Sequence, residues 1–347
     1  MTDAASASAA RPTLSAVASL AGVSVSTASL AFSGAGPVAD ATKQRILAAA
    51  EQLGYAGPDP RAASLRRGRS GIVGVVLDDE LALAFRDPIN IAMLDGIASV
   101  LAENDGSLLL LSGDSAQLAS APVDAVVLVG CSPRVADLVE PLHRRSVPVV
   151  VIEADAMEGV AAIDLDNRDA SRALAQLLRD AGHERVAIAA LPLREPRETE
   201  PIGAGDGSVH TTRERVLGVR DVYPDADGLA ARASSVDDGV AIGRALLAVS
   251  PRPTAIIAQS DLLAIGVIRA ARELGLEVPG DVSVVGFDGV RLDGLSDDDL
   301  TTMVQPATEK GVAAARAALA MVAGDPPGRI AFTSTLHRGT TTAPARV

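Results

Sequence analysis

Two groups of residues in this chain have types and spacings that could do chemistry. One is a hydroxyl-rich run near the start, Ser24, Ser26, Thr27 and Ser29, interleaved with Val25 and Leu30. Hydroxyls at the start of a helix suit phosphate oxygens, which position a nucleic acid without reading it, whereas valine and leucine can touch thymine methyl groups. The other is a pair of aspartates, Asp261 and Asp288, each just beyond an apolar run that reads as a buried strand, 254–258 and 282–287. Ligands of open parallel sheets sit beyond the carboxyl ends of the strands, so carboxylates there are placed to accept hydrogen bonds from a small polar molecule. Asp261 could equally cap the helix that begins at Leu262.

The elements that must hold the first group can be read directly. Thr13 is placed to cap a short helix with Leu14, Val17 and Leu20 at helical spacing. Gly22 breaks the pattern, and glycine takes the left-handed conformation that a sharp turn between helices needs. Ser24 then caps a second helix, and a Gly/Pro loop at 33–37 leads to a third with Ile46, Ala49, Ala50 and Leu53 on one face. Gly54 stops this helix, and Tyr55 is expected to pack back on the unit. Two short helices joined at a glycine turn are the plan of a helix-turn-helix, whose second helix enters the major groove. An ordinary alanine-rich helical hairpin has the same periodicity.

Ordered motifs carry a resemblance beyond periodicity. Ala21-Gly22-Val23-Ser24 followed by Ser26-Thr27-Ala28-Ser29 is similar to the DNA-binding signature of the lactose-repressor (LacI/GalR) family of bacterial transcription regulators. The resemblance continues through Gly54-Tyr55, 65–69 and 74–76, and returns at Ser260-Asp261, Val278-Pro279, 286–288 and Gln305-Pro306. It implies a helix-turn-helix head, a hinge helix that pushes a leucine into the minor groove (Leu65, with Ala62 one turn earlier), and a two-lobed α/β core of the type I periplasmic-binding-protein fold. It also implies that Arg215 and Asp261 hydrogen-bond a small effector, that Asp288 supports or touches it, and that the partners are double-stranded operator DNA and a second copy of the chain. An arginine fork with a carboxylate gives bidentate recognition of hydroxyls or of an anionic group. The chain departs from the family in three places. Leu30 stands where a polar reading residue is common. One extra residue, near Gly57, separates head from hinge. Asp87-Pro88-Ile89-Asn90 replaces an Asn-Pro-aromatic stretch.

Charge supports the division. The whole chain carries −13, but residues 1–70 hold seven basic and four acidic side chains, or +3, leaving −16 on the rest. A basic head on an acidic body is expected when one small module meets phosphate, and the modest excess calls for two copies on one site. No apolar run is long enough to span a membrane, no secretion signal opens the chain, and the lone Cys131 suits a reducing cytoplasm, here at the nucleoid.

From Ile72 onward, short apolar runs alternate with helical patterns, the mark of a parallel α/β sheet. The expected organisation is a disordered tail at 1–12, a helix-turn-helix domain at 13–57, a hinge helix or linker at 58–70, and an effector-binding and dimerisation core at 71–347. Within the core, lobe 1 is expected at 71–163 and 296–328, and lobe 2 at 164–295 and 329–347. A strand is expected over 332–336, and a long polar loop, mobile in character, over 191–210.

Enzyme chemistry finds no support. His143, His183, His210 and His337 are scattered without metal-ligand spacing or a partnered nucleophile, and the glycine-rich 203–207 stretch follows no strand in phosphate-binding form. No cofactor is implied. Aromatic residues make up 2% of the chain and tryptophan is absent, so the effector, a sugar or another small polar metabolite, would lack aromatic platforms. The sequence therefore points to a ligand-responsive, DNA-binding repressor acting as a homodimer on a pseudo-palindromic operator. The alternative is a solute-binding sensor with a degenerate head, motivated by Leu30 and the longer hinge.

Overall fold

A computed structural model describes residues 12–34, 36–57, 69–77, 85–113, 115–129, 135–194, 197–203, 207, 209–290, 294 and 296–346. The chain divides into two units, 1–70 and 71–347.

The first unit is three helices, α1 (Leu14–Ala21), α2 (Val25–Ser33) and α3 (Asp40–Leu53). Thr13 Oγ1 accepts a hydrogen bond from the Ala16 N–H at 3.2 Å, and Ser24 Oγ accepts from the Thr27 N–H at 3.0 Å, so both caps form. Gly22 takes φ 64° and ψ 40°, which lets the chain turn so sharply that α1 and α2 meet at 106°. The core is built mainly of alanines, Ala18, Ala28, Ala31, Ala49 and Ala50, buried around Val17 and Ile46. Tyr55 closes it from below, edge-on to Phe32 with ring centroids 5.6 Å apart.

The second unit contains two sheets. Its elements are β1 (Ile72–Leu77), α4 (Pro88–Glu103), β2 (Ser107–Leu111), α5 (Ser115–Ser120), β3 (Ala125–Val129), α6 (Val135–Arg144), β4 (Val149–Ile152) and β5 (Ala161–Leu165). There follow α7 (Asn167–Asp180), β6 (Val186–Ala190), β7 (Glu200–Pro201), α8 (His210–Arg220), β8 (Asp227–Ala230), α9 (Val236–Leu247), β9 (Ala255–Ala258) and α10 (Asp261–Glu273). The last are β10 (Ser283–Asp288), β11 (Thr301–Val304), α11 (Ala307–Ala323), β12 (Arg329–Phe332) and β13 (Thr335–His337). Lobe 1 is a parallel sheet of order β12-β5-β4-β3-β1-β2, and lobe 2 has the order β13-β11-β10-β9-β6-β8-β7. In lobe 2 only the edge pairs β11–β13 and β7–β8 are antiparallel. The apolar runs at the centres of both sheets, such as Ala125–Val129 and Ala255–Ala258, are buried throughout, as strands covered on both faces require.

Sheet pairing reverses part of the expected lobe boundary. Residues 301–304, assigned by sequence to lobe 1, pair with β10 of lobe 2, and residues 329–332, assigned to lobe 2, pair with β5 of lobe 1. The chain therefore crosses between lobes at 165–167, 304–307 and 332–335. The single strand expected over 332–336 is two strands in different sheets. Its break lies at Ser334, whose N–H and Oγ both donate to Asp166 Oδ1 at 2.8 Å and so pin the last crossing against the first. The 191–210 stretch, read as a loop, contains β7, and Arg194 holds Glu200 through two hydrogen bonds of 2.9 and 2.7 Å.

Within lobe 1, α4 and α11 pack backbone to backbone. A Cβ on Gly96 would lie 2.1 Å from the Thr308 carbonyl oxygen, and one on Gly311 would lie 2.1 Å from that of Met93. This contact fixes the first turn of α11 beside the first turns of α4, and both turns bear on the site described next.

Candidate functional site

In the first unit, Ser24, Val25, Ser26 and Leu30 are exposed, and Thr27 and Ser29 are half-buried. The hydroxyls form one cluster, with Ser24 Oγ 2.8 Å from both Ser26 Oγ and Thr27 Oγ1. They stand at the N-terminus of α2, where unpaired N–H groups and the helix dipole favour an anion. Leu30, expected to face bases, also packs within the unit. Its side chain lies over Gly36, where an added Cβ would come 3.1 Å from Leu30 Cδ2. Lys43 and Arg45 are exposed on α3. Ala62 and Leu65 lie outside the described residues.

In the second unit, a cavity of about 140 Å³ opens where the carboxyl ends of both sheets face each other. Lobe 1 contributes Asp87, Ile89, Asn90 and Met93 from the start of α4, together with Val129, Ile152 and Glu153. Lobe 2 contributes Leu191, Pro192, Thr211, Thr212, Arg215, Ser234, Ser260 and Asp288, and Gln305 joins from the second crossing. Asp87 doubles as the N-cap of α4, accepting from the Ile89 N–H at 3.0 Å.

Arg215 is the centre of this wall. It is 3% exposed, stacks on the Phe287 ring at 3.6 Å, and donates from Nε to Asn167 Oδ1 at 2.7 Å and from Nη1 to the Gln259 carbonyl. Its guanidinium lies 3.6 Å from Asp288 Oδ1 and 3.9 Å from Glu153 Oε2. Asp288 also accepts from Gln305 Nε2 at 2.6 Å, and Glu153 accepts from Asn167 Nδ2 at 2.7 Å and from Lys310 Nζ. Asp288 and Glu153 hold left-handed backbones, φ 120° and 58°, conformations that cost free energy in a residue with a side chain and recur at functional sites.

The carboxyl groups differ in ionisation. Burial alone would raise Glu153, but the charges of Lys310 and Arg215 and the hydrogen bonds from Lys310 and Asn167 outweigh it and bring its pKa down to about 2. Burial raises Asp288 well above the usual carboxylate range. Arg215 opposes that shift, and the neighbouring Asp261 and Asp87 add to it.

Asp261 is a correction. The sequence placed it among the effector contacts, with a helix cap as the alternative, and the structure gives it neither place. It does not line the cavity, and the cap is Ser260, whose Oγ accepts from the Leu263 N–H at 3.2 Å. The Asp261 carboxylate instead points behind Asp288, accepting from Thr302 Oγ1 at 2.6 Å and from the Val290 N–H at 2.9 Å. Burial pushes its pKa up to about 7 against the hydrogen bonds from Thr302, Val290 and Gly289 and the charge of Arg215. Arg215 and Asp288, by contrast, are brought together at the cavity. Glu153 was missed although it follows the 147–152 run in the same way that Asp288 follows 282–287, so the strand-end rule applied to lobe 1 would have found it. Lys310 left no local signal, because both of its partners, Glu153 and Gln305, lie outside the helix that carries it.

The comparisons agree with one another. Residues 13–57 match the family model for bacterial regulatory proteins, lacI family, and residues 175–342 match a periplasmic binding protein-like domain. The HTH-type transcriptional regulator IpsA of Corynebacterium glutamicum is 30% identical over 360 residues, covering 96% of this chain and 98% of the relative. The HTH-type transcriptional regulator Rv3575c of Mycobacterium tuberculosis is 33% identical over 319 residues, covering 87% and 88%. A solved complex of the transcriptional regulator CelR with cellobiose superposes with TM-score 0.67 at 26% identity, over 95% of this chain and 100% of that one. The lac repressor dimer bound to operator shares the fold, with TM-score 0.76 at 22% identity over 96% and 100%.

Proposed function

The chain belongs to the lacI family of bacterial regulatory proteins and is a DNA-binding transcriptional regulator, and on that premise we propose that it is a repressor controlled by a small polar effector seated in the cavity between its two lobes. The observation that carries the reading is the wall formed by Arg215, Asp288, Glu153 and Gln305, in which charged and amide groups converge on one cavity from both lobes. An effector there touches both lobes at once, so its binding energy depends on how far they close. The DNA contacts are Ser24, Val25, Ser26, Thr27, Ser29 and Leu30, with Leu65 as the minor-groove wedge of the hinge and Ala62 beside it in the same hinge. Two copies meet a pseudo-palindromic operator, and the effector biases that pairing, a coupling between distinct sites. The chain acts in the cytoplasm, as a device that binds and releases rather than as a catalyst.

The regulator CelR is solved with cellobiose, and a lacI-family neighbour from Enterococcus faecium is solved with ribose. For this chain a polyhydroxylated effector fits the hydrogen-bonding wall. Ile89, Met93, Val129 and Ile152 would supply its apolar contacts in place of aromatic rings. Selection of genomic fragments on the purified chain tests the reading. A two-fold symmetric site bound by a dimer, with affinity falling steeply with salt, is the expected result. Salt-independent binding, or a single copy on an asymmetric site, sinks it in favour of a sensor with a degenerate head.

A further inference from the structure

Lys310 is the one lysine in the core of the second unit that is fully buried, at 0% exposure, and it does not line the cavity. It stands in the first turn of α11, held against α4 by the glycine contacts at 96 and 311. From there it donates to two groups that do line the cavity, Glu153 Oε1 and Gln305 Oε1. An ammonium has donors only, so Gln305 must turn its carbonyl oxygen to Lys310. Its NH2 then has one direction left, and there it donates to Asp288 Oδ1 at 2.6 Å. A donor aimed at that oxygen makes Oδ1 an acceptor, whether the carboxyl is ionised or carries its proton on Oδ2. With the amide reversed, a carbonyl would face Asp288, and only the protonated carboxyl could satisfy it. The buried ammonium thus decides, through one amide, whether Asp288 Oδ1 meets a donor or a carbonyl oxygen.

We propose that Lys310 is a positioning residue of the small-molecule site: it fixes the orientation of the Gln305 amide, whose N–H in turn holds the Asp288 carboxyl in place at the cavity. The proposal rests on the cavity being the effector site. Buried polar networks of this kind specify one arrangement only when every member is satisfied, and no buried side-chain nitrogen or oxygen among the described residues lacks a partner.

The test needs no ligand. The full chain contains six glutamines, so ¹⁵N labelling of glutamine side chains gives few amide signals, and the Gln305 pair is assigned by its loss in Gln305→Leu. Lys310→Met is combined with Glu153→Gln, which removes the ammonium without leaving an unpaired carboxylate. The expected result, read against Glu153→Gln alone, whose added amide makes seven pairs, is that the Gln305 signals shift or vanish through exchange while the other six pairs stay. Lys310→Gln in the same Glu153→Gln background again offers an N–H to Gln305 and restores them. Unmoved Gln305 signals in the methionine variant overturn the proposal and leave Lys310 a mere counter-charge for Glu153. If the methionine variant does not fold, the glutamine variant decides: signals at their wild-type positions support the proposal, and displaced signals overturn it. Failure of the cavity reading shows elsewhere, as an unaltered effector response in Arg215→Ala, and does not move these signals.

Discussion

Glu153 and Asp261 are carboxyl groups buried to nearly the same degree, 7% and 1% exposed, on the two lobes of one core. Yet Glu153 is held at about 2 and Asp261 rises to about 7. Burial penalises the charge in both, so the difference lies in the partners. Lys310 and Arg215 lie within ion-pairing distance of Glu153, whereas Asp261 has a threonine hydroxyl and a backbone N–H. The lobe 1 carboxylate is a permanent charge facing the cavity. The lobe 2 carboxyl titrates near neutrality behind the cavity, where it ties Val290, just past the end of β10 that carries Asp288, to Thr302 of β11.

Removing the permanent charge should have the largest effect. Glu153→Ala leaves Lys310 and Arg215 buried without their shared counter-charge, and loss of one partner of a buried pair costs about 3–5 kcal/mol. Urea unfolding of the wild type and the variant measures it, and a loss below about 1 kcal/mol would mean that solvent reaches the site.

The pH dependence of stability sharpens the contrast, because the two groups act with opposite sign. Glu153 has a native pKa below its ordinary 4.5, so its contribution is present above that value and is lost as pH falls toward 2. Asp261 has a native pKa raised from 3.8 to about 7, so between those values the native state binds more protons and stability declines as pH rises. The decline amounts to about 2–4 kcal/mol by linkage, and Asp261→Asn should flatten it. Melting temperatures from pH 4 to 8 provide the check, and an equal slope in the variant would assign the titration to Asp288 instead.

How much of this was legible in sequence follows from the same pair. Strand ends are visible because an apolar run stops, so Asp261 and Asp288 could be placed beyond strands from composition alone. Which way a side chain points after the strand depends on the neighbouring strand, and β11, which turns Asp261 toward Thr302, lies 41 residues away. The reversal of the lobe boundaries has the same cause: 301–304 pairs with β10 and 329–332 with β5, and pairing across the crossings leaves no local pattern. The head was more legible, because its caps and turns are local. Thr13, Gly22 and Ser24 act within three or four residues of themselves.

Smaller effects are expected in the head. Ser24→Ala removes the α2 cap and should cost about 1 kcal/mol of stability together with DNA affinity. Leu30→Ala, half free of contacts and resting on Gly36, should cost roughly 0.5–1.5 kcal/mol, with its DNA effect confined to a single base position. Unfolding curves and competition with operators altered at one base pair separate the two contributions.

The central claim is that an effector in the cavity governs DNA binding, and the direct measurement is fluorescence anisotropy of a labelled operator fragment, selected as above, titrated with metabolites made or used by the genes beside it. One polar metabolite should change wild-type affinity by tenfold or more, and Arg215→Ala should bind the same DNA with wild-type affinity yet ignore that metabolite. An Arg215→Ala protein that remains folded and responds like the wild type would contradict the account.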